Sequence, residues 1–399
     1  GFGGVSEYGI TVRWDKNFLT AIYINLARRE FFSLYDGVRF GGTITIEDAW
    51  DLGFDHIAIA TGAGKPTVIN IKNNLITGIK KASDFLMSLQ LTGAAKENNP
   101  ANLQIQLPAV VIGGGLTAID TATELLAYYP VQVLKVLDKY EKLSGVDGEN
   151  KFFEIFDDRE KGIMKTFIEH GKLIREEYAN SKKENREPDI LSLENEWGGV
   201  TIAYRKRMTD SPAYRLNHEE VIKALNEGIS FAENMNPVEA IGDEYGAIKE
   251  MTFKRKNNPE LHTMKAKSVM VAAGTSPNII YEKEYPGTFE LDDDNYFFKA
   301  YKFSGTDLIP AGKNEKGFFT SYNKNGKFIS FYGDNHPDYA GNVVKAMASA
   351  KDGYKKITDL FQRELSEIKN DTDSVKERMS KFERMTAIMD DGFMSTVRE

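Results

Sequence analysis

Short apolar runs that stop at a glycine recur along this chain, and they set its fold class. His56 to Ala60 ends in Thr61-Gly62-Ala63, Ala109 to Ile112 runs into Gly113-Gly114-Gly115, Ser268 to Ala273 stops at Gly274, and Phe328 to Tyr332 reaches Gly333-Asp334. Unbroken apolar runs of this length fit strands buried on both faces of a parallel sheet. Between them, apolar residues return at helical spacing: in 17–34 (Phe18, Leu19, Ile22, Tyr23, Leu26), from Leu116 to about Tyr128, over 217–227, and over 342–350. Shorter strands are expected at 37–40, 43–46, 200–204, 229–232 and 247–255. The repeated order of strand, glycine turn and helix predicts an α/β fold with parallel sheets. Segment 131–196 is rich in Lys, Glu, Asp and Phe and reads as an inserted helical subdomain. Residues 100–107 read as a polar linker, and 354–399 as a charged amphipathic helical tail.

The run Gly113-Gly114-Gly115-Leu116-Thr117-Ala118 fits G-x-G-x-x-A at the end of a strand and the mouth of a helix. There, the first glycine permits a tight turn, the second lets backbone approach a pyrophosphate, and Ala118 lets helix and strand pack closely. The helix N-terminus then offers unpaired N–H groups to phosphate. A lone match would fit an ordinary glycine turn equally well; its placement favours a dinucleotide. The end of the next parallel strand chooses the cofactor, because a carboxylate there holds a ribose 2′-hydroxyl and arginine accommodates a 2′-phosphate. Two segments compete. Val131 to Leu137 would present Asp138 and favour NAD, whereas Val200 to Tyr204 runs into Arg205-Lys206-Arg207, suited to a phosphate dianion. Lys135 and Lys139 flank Asp138 at helical spacing, so the second is preferred, against the plainer reading of a solvated basic patch.

Composition narrows the chemistry. The 399 residues suit two or three domains, and a formal charge of −8 predicts no general attraction to nucleic acid or anionic membrane. With no cysteine, the chain can hold neither a thiol redox pair nor a cysteine-ligated iron–sulfur cluster, and five unclustered histidines make a catalytic metal improbable. No apolar run is long enough to span a bilayer, and no signal-peptide pattern is present, so the cytoplasm is the expected location. The first residue is Gly1 rather than Met, so sequence upstream is expected to be missing. His218 and Glu219 read as surface polar residues of an amphipathic helix, and Asp292 to Asp294 as a solvated acidic turn.

Several landmarks, in order, resemble the small subunit of glutamate synthase and its relatives, among them the flavin and NADPH domains of dihydropyrimidine dehydrogenase and adrenodoxin reductase. Gly3-Gly4, Tyr8-Gly9-Ile10, Arg13 and Lys16 are similar to that family's GG…YGIP…R..K segment. Phe40 to Thr45, Phe54-Asp55 and Ala58 to Ala63 follow its next landmarks. Gly113 to Asp120 resembles its GGGDTAMD motif, Tyr204 to Arg207 its YRR, Val271 to Pro277 its return crossing, and Gly333-Asp334 with Gly341-Asn342-Val343-Val344 its last flavin segment. The resemblance implies two Rossmann-like dinucleotide-binding domains: a discontinuous FAD-type domain of 1–107 and 275–353, and an NAD(P)-binding domain of 108–274 carrying the insertion 131–196, with 354–399 as a helical extension. It implies NADPH and FAD as cofactors, with Gly113, Gly114, Gly115, Thr117, Ala118, Arg205, Lys206, Arg207 and Gly274 toward NADP and Tyr8, Gly9, Thr61, Gly62, Gly333, Asp334, Asn342 and Val343 toward FAD.

Three features depart from the family. Its first flavin fingerprint, which should precede Gly3, is absent, as is its cysteine-rich domain, and the excursion at 131–196 is longer than the family needs. His336-Pro337 inside the Gly333 loop also differs. The activity implied is hydride transfer from NADPH to FAD, with electrons passed to an accepting domain or subunit. Such proteins bind and orient rather than perform acid–base work, so the resemblance implies binding residues and no catalytic set. The alternative is a nucleotide-binding structural or regulatory module without flavin activity.

Overall fold

The computed structural model describes residues 18–255 and 258–393. Those residues fall into two compact units, one holding 66–274 and the other 18–65 with 275–393.

The first unit is built on five parallel strands in the order Ile79–Lys81, Ser268–Val271, Ala109–Ile112, Val200–Tyr204, Ser230–Glu233. Ala109 lies level with Ser268 on one side and Val200 on the other. The strand Ala109–Ile112 is central, the next two are laid outward on one side, and the chain returns on the other, the arrangement of a mononucleotide-binding half. All four residues of the central strand are buried. Their alternation explains the unbroken apolar run: Val110 and Ile112 pack with Met251, Phe253 and Val269, whereas Ala109 and Val111 pack with helix residues such as Phe85, Leu125 and Ile119. Met251 and Phe253 belong to an antiparallel meander of Met235–Gly242, Ile248–Arg255 and Asn258–Lys265, which precedes the return strand and covers that face.

The boundaries expected from sequence move in this unit. Residues 66–107 belong with the first unit rather than with a domain formed with 275–353 and ending at 107. The strand Ile79–Lys81 pairs in parallel with Ser268–Val271, and the helix Ala82–Leu91 buries Phe85, Leu86 and Leu89 in the same core. The supposed polar linker is also fixed. Gln132 accepts from the Ile105 N–H at 2.9 Å and donates to its carbonyl at 2.8 Å, the Tyr128 hydroxyl accepts from Leu103 N–H at 3.1 Å, and Ile105 and Leu107 are buried.

The helix after the glycine turn does not stop near Tyr128. It runs from Leu116 to Asp147 with Pro130 inside it, so the insertion has no break at 131. A proline costs about 3 kcal/mol within a helix, yet each aliphatic side chain buried contributes roughly 1.5–3 kcal/mol. Val133, Val136 and Leu137 beyond Pro130 are all buried, and together they outweigh the penalty. The helices Asp158–Glu184 and Ile190–Glu196 follow before the second strand. Gly171 sets the contact between the two long helices, since a Cβ there would lie 2.8 Å from the Val133 carbonyl oxygen. Asp157 and Glu160 form a capping box at the start of the second long helix.

In the second unit, Ile57–Ile59 pairs in parallel with Lys327–Phe331, and the sheet continues antiparallel through Phe319–Lys324, Tyr301–Phe303 and Leu308–Pro310. Ile46, Ile59, Phe298, Ile329 and Phe331 form its core. The expected strands at 37–40 and 43–46 reduce to a bridge between Phe40 and Ile44. The reason is local: Thr45 and Asp48 make a capping box that starts the helix Ile46–Asp51. The expected tail from 354 is likewise not separate, because the helix Val343–Leu360 runs across that point, followed by Gln362–Glu367 and Thr372–Phe393. No helix among the described residues is long and apolar enough to cross a membrane.

Replacing Gly171 by Leu should force the two long helices apart and destabilise the protein by roughly 1–3 kcal/mol, the usual cost of overpacking. Urea unfolding followed by circular dichroism measures this, and unchanged stability would contradict the close helix contact.

Candidate functional site

The glycine turn of the first unit is held from three sides. The Gly113 N–H donates to the Ala203 carbonyl at 3.1 Å, the Ala272 N–H to the Ile112 carbonyl at 2.8 Å, and the Ala213 N–H to the Gly114 carbonyl at 3.0 Å. The last bond comes from the helix Pro212–Asn226, whose N-cap Ser211 accepts from the Tyr214 N–H and whose Pro212 suits a first-turn position. Each glycine has a different reason to lack a side chain. At Gly113, with φ of +157°, a Cβ would lie 2.3 Å from the Ala272 carbonyl oxygen. At Gly114 it would lie 2.4 Å from the ring of Tyr204. At Gly115 it would meet nothing within 4 Å.

Gly115 is therefore the position where open space adjoins the helix end. It is the N-cap of Leu116–Asp147, and no side chain caps that end; the Ala118 N–H turns back to the Gly115 carbonyl at 2.9 Å, and the Leu116 and Thr117 N–H groups keep their capacity to donate. Thr117 is half-buried in this turn, and Ala118 is fully buried against the sheet. The residues present fit a dinucleotide pyrophosphate: a turn without side chains, donors aimed out of a helix end, and a small residue where helix meets strand.

The adjacent strand Val200–Tyr204 delivers the basic cluster. Arg205, Lys206 and Arg207 are all exposed. Their backbone is pinned at both ends, because the Lys206 carbonyl accepts from Asn234 N–H at 3.1 Å and the Met208 N–H donates to the Glu233 carboxylate at 2.7 Å. The three side chains are not equivalent. Arg207 Nε lies 3.2 Å from Asp210, which holds the Asp210 carboxyl below the usual range. Arg205 and Lys206 make no ion pair among the described residues. Asp138, the rival for cofactor choice, sits far along the first long helix at roughly 1.5 Å per residue, where Arg175 binds it at 2.7 Å. Gly274, with φ of +98°, ends the return crossing, and its carbonyl accepts from Thr67 N–H at 2.9 Å.

The second unit brings another set of loops together. Thr61 and Gly62 follow one member of its parallel strand pair, and Gly333 and Asp334 follow the other. Asn335, fully buried, joins them: Thr61 Oγ1 donates to Asn335 Oδ1 at 3.1 Å, Asn335 Nδ2 donates to the Asn278 carbonyl at 2.7 Å, and the Asn278 N–H donates to the Gly62 carbonyl at 2.9 Å. Ser349 Oγ accepts from the Gly333 N–H at 2.8 Å, and Asp334 accepts from the Gly341 N–H at 3.0 Å. Asn342 caps the helix Val343–Leu360 through the Lys345 N–H, leaving Val343 partly exposed at its mouth. Sequence reasoning missed Asn278, Asn335 and Ser349, whose residue types carry no motif.

His336 is fully buried and contacts no open loop surface. Its Nε2 lies 2.7 Å from the Gly317 carbonyl, its Nδ1 accepts from Asp338 N–H at 3.2 Å, and its ring stacks on Phe331 at 4.8 Å. Burial lowers its pKa and keeps it neutral. Tyr8 and Gly9 lie outside the described residues. So do Gly3, Gly4, Ile10, Arg13 and Lys16. Among the described residues, the second unit has no glycine-rich turn between a strand and a helix of the kind that Gly113 begins in the first.

No protein-family model matches the chain. Uncharacterized protein RP006 of Rickettsia prowazekii is 38% identical over 363 residues, which is 90% of this chain and 45% of that protein. The chain thus spans less than half the length of this curated relative. Among solved structures, Mycobacterium tuberculosis FprA in complex with NADPH is similar at 13% identity and a TM-score of 0.53, over 96% of this chain and 81% of FprA. A point mutant of FprA gives 15% identity, a TM-score of 0.51 and the same coverage. At this identity the likeness is one of fold. The chain has the two-domain dinucleotide-binding reductase fold. That agrees with the parallel sheet and glycine turn of the first unit.

Gly113→Ala should destabilise the protein by roughly 2 kcal/mol or more, since backbone must move to admit the methyl group. Gly115→Ala should leave stability within about 0.5 kcal/mol. Thermal unfolding of the two variants separates the roles, and equal losses would contradict open space at Gly115.

Proposed function

We propose that this chain is an NADPH-dependent flavoprotein oxidoreductase module, arranged like the small subunit of glutamate synthase, that passes electrons to an accepting domain or subunit. The observation that carries the reading is the open, uncapped helix end at Gly115 beside a strand that ends in the exposed Arg205-Lys206 pair. The residues have distinct tasks. First-turn N–H groups at Leu116 and Thr117 bind the pyrophosphate. Arg205 and Lys206 take the 2′-phosphate, and Arg207 can join them, because an exposed ion pair such as that with Asp210 is worth only about 0–1 kcal/mol. The pinned backbone of this loop spares part of the ordering cost on binding.

When bound, the nicotinamide would supply a hydride, two electrons with one proton, to the flavin. Thr61, Gly62, Gly333, Asp334, Asn342 and Val343 are the described residues assigned to the flavin. They lack a phosphate-binding turn of their own, so the grip on a flavin pyrophosphate falls to sequence outside the described residues. The chain has no cysteine, and with no thiol pair or cysteine-held cluster of its own to reduce, an acceptor outside it fits the reading. The second reading, a nucleotide-binding module without flavin activity, is favoured by that same missing turn.

Arg205→Ala should weaken NADPH binding about tenfold or more, the loss of one charge-assisted contact, and change NADH binding less than about twofold. Arg207→Ala should cost less than Arg205→Ala. Equal effects on the two nucleotides, read by calorimetric titration, would undo the 2′-phosphate assignment. The visible absorption spectrum of the purified chain after addition of FAD and desalting decides between the two readings. Retained flavin absorbance that bleaches on adding NADPH supports the oxidoreductase, and its absence with intact NADPH binding supports the module without flavin.

A further inference from the structure

The short helix Ile190–Glu196 buries a carboxyl that nucleotide binding does not use. Glu194 is only 5% exposed, and its Oε1 has no hydrogen-bond partner among the described residues. It lies in the last turn of its helix, where the negative end of the helix dipole opposes a carboxylate. A carboxylate buried without a partner is costly, and holding a proton removes most of that cost.

The groups around it supply no counter-charge. The first long helix brings Tyr129, whose hydroxyl is spent on His170 Nδ1 of the second long helix at 2.7 Å. Burial, and then the charge of Glu194, raise the Tyr129 hydroxyl, which stays protonated. His170 stacks on Trp197, the residue that ends the short helix, with ring centroids 3.7 Å apart. Burial, and then the charge of Lys267, push the His170 ring down to about 4, so it is uncharged at neutral pH. Lys267 itself is exposed, as are Asp189 and Glu196 at the two ends of the short helix. On the side of Leu191, the turn after the helix Pro212–Asn226 brings Glu227, whose charge is met by Lys223. The start of the short helix is anchored, because Asp189 caps it through the Ser192 N–H at 3.1 Å and Glu177 accepts from the Asp189 N–H at 2.7 Å. The guanidinium there, that of Arg186, is bound to Glu177 and Glu184. The other end leads into Gly198 and Gly199, with φ of +98° and +54°, before the strand Val200–Tyr204. The last turn, with Glu194, is thus the end that an added charge would drive from the core.

We propose that the helix Ile190–Glu196 is a proton-controlled latch: it stays docked on the two long helices while Glu194 holds its proton, and its last turn is released when that proton leaves. Burial pushes the Glu194 carboxyl from 4.5 up to about 8. Docking is therefore strongest below 4.5, weakens as pH rises, and falls no further above about 8. His170 acts in the opposite sense: it docks uncharged, so its contribution is complete above 6.5 and is lost as pH falls toward 4. Between pH 6.5 and 8 Glu194 is the one of the two whose docking contribution changes. The latch lies in the helical insertion and is independent of the function proposed above.

Hydrogen exchange of the full chain, read by mass spectrometry between pH 6.5 and 8 and divided by the rates of unstructured peptides, tests it. Segment 190–199 should open at least about tenfold more often than the central strand Ala109–Ile112, as a local rather than a global event. Its opening should rise about tenfold per pH unit, the linkage of one proton. Glu194→Gln should abolish the rise. Glu194→Met should do the same, and it serves if the carboxamide destabilises the fold. A flat profile in the unaltered chain would overturn the proposal, as would a rise that persists in either folded variant. Equal opening of 190–199 and the central strand would also overturn it, since Glu194 would then act on global stability alone.

Discussion

The first unit depends on a backbone crossing that leaves no room for a side chain at Gly113. The three central strands are held there in one register, with Gly113 bonded to Ala203 and Ala272 bonded to Ile112. A methyl group at Gly113 would collide with the Ala272 carbonyl. Because that carbonyl comes from a strand entering the sheet more than 150 residues later in the chain, the turn and the return crossing fix one another. The open helix end at Gly115 is a consequence. With the strand end and turn locked, the first helical turn must project its unpaired N–H groups into the space beside it.

This constraint also explains which features could be read from sequence. A glycine forced by backbone contact, a buried alanine at the helix base and a wholly apolar central strand all leave letters in the chain, so Gly113 to Ala118 and Ala109 to Ile112 were legible. So was the choice of Val200–Tyr204 over 131–137 as the second strand, because Lys135, Asp138 and Lys139 fall at helical rather than strand spacing. Asn335 was not legible. Its role arises from bonds to Thr61 and Asn278, residues distant in sequence, and a buried asparagine has no local signature. The pairing of Arg207 with Asp210 was open to a closer reading, since three-residue spacing around a turn brings opposite charges together.

The boundaries were misread for a different reason: tertiary burial overrode local propensity. Pro130 and the polar run at 100–107 both suggest breaks. Yet the long helix continues because its apolar stripe does, and the run at 100–107 is held because Gln132 supplies both a donor and an acceptor to one residue of it. Polar residues on a helix are usually assigned to solvent, and Gln132 is buried. The error at 107 follows directly. A segment that looks like a linker is tied to the helix emerging from the glycine turn, so it and the preceding strand belong to that unit.

The two units differ in how much of a dinucleotide site their own residues build. In the first, the glycine turn, its bracing and a basic strand end all come from one sheet. In the second, one parallel strand pair brings two loops together through Asn335, and the rest of the sheet is antiparallel. Such a pair can position loops without providing a helix end for phosphate. Asn342 even closes the one long helix that begins nearby by accepting from its Lys345 N–H, and a side chain that satisfies the helix leaves fewer donors for an anion. The glycine turn, its bracing and the basic strand end of the first unit can therefore be altered one at a time, whereas the two loops of the second are tied to one another through Asn335.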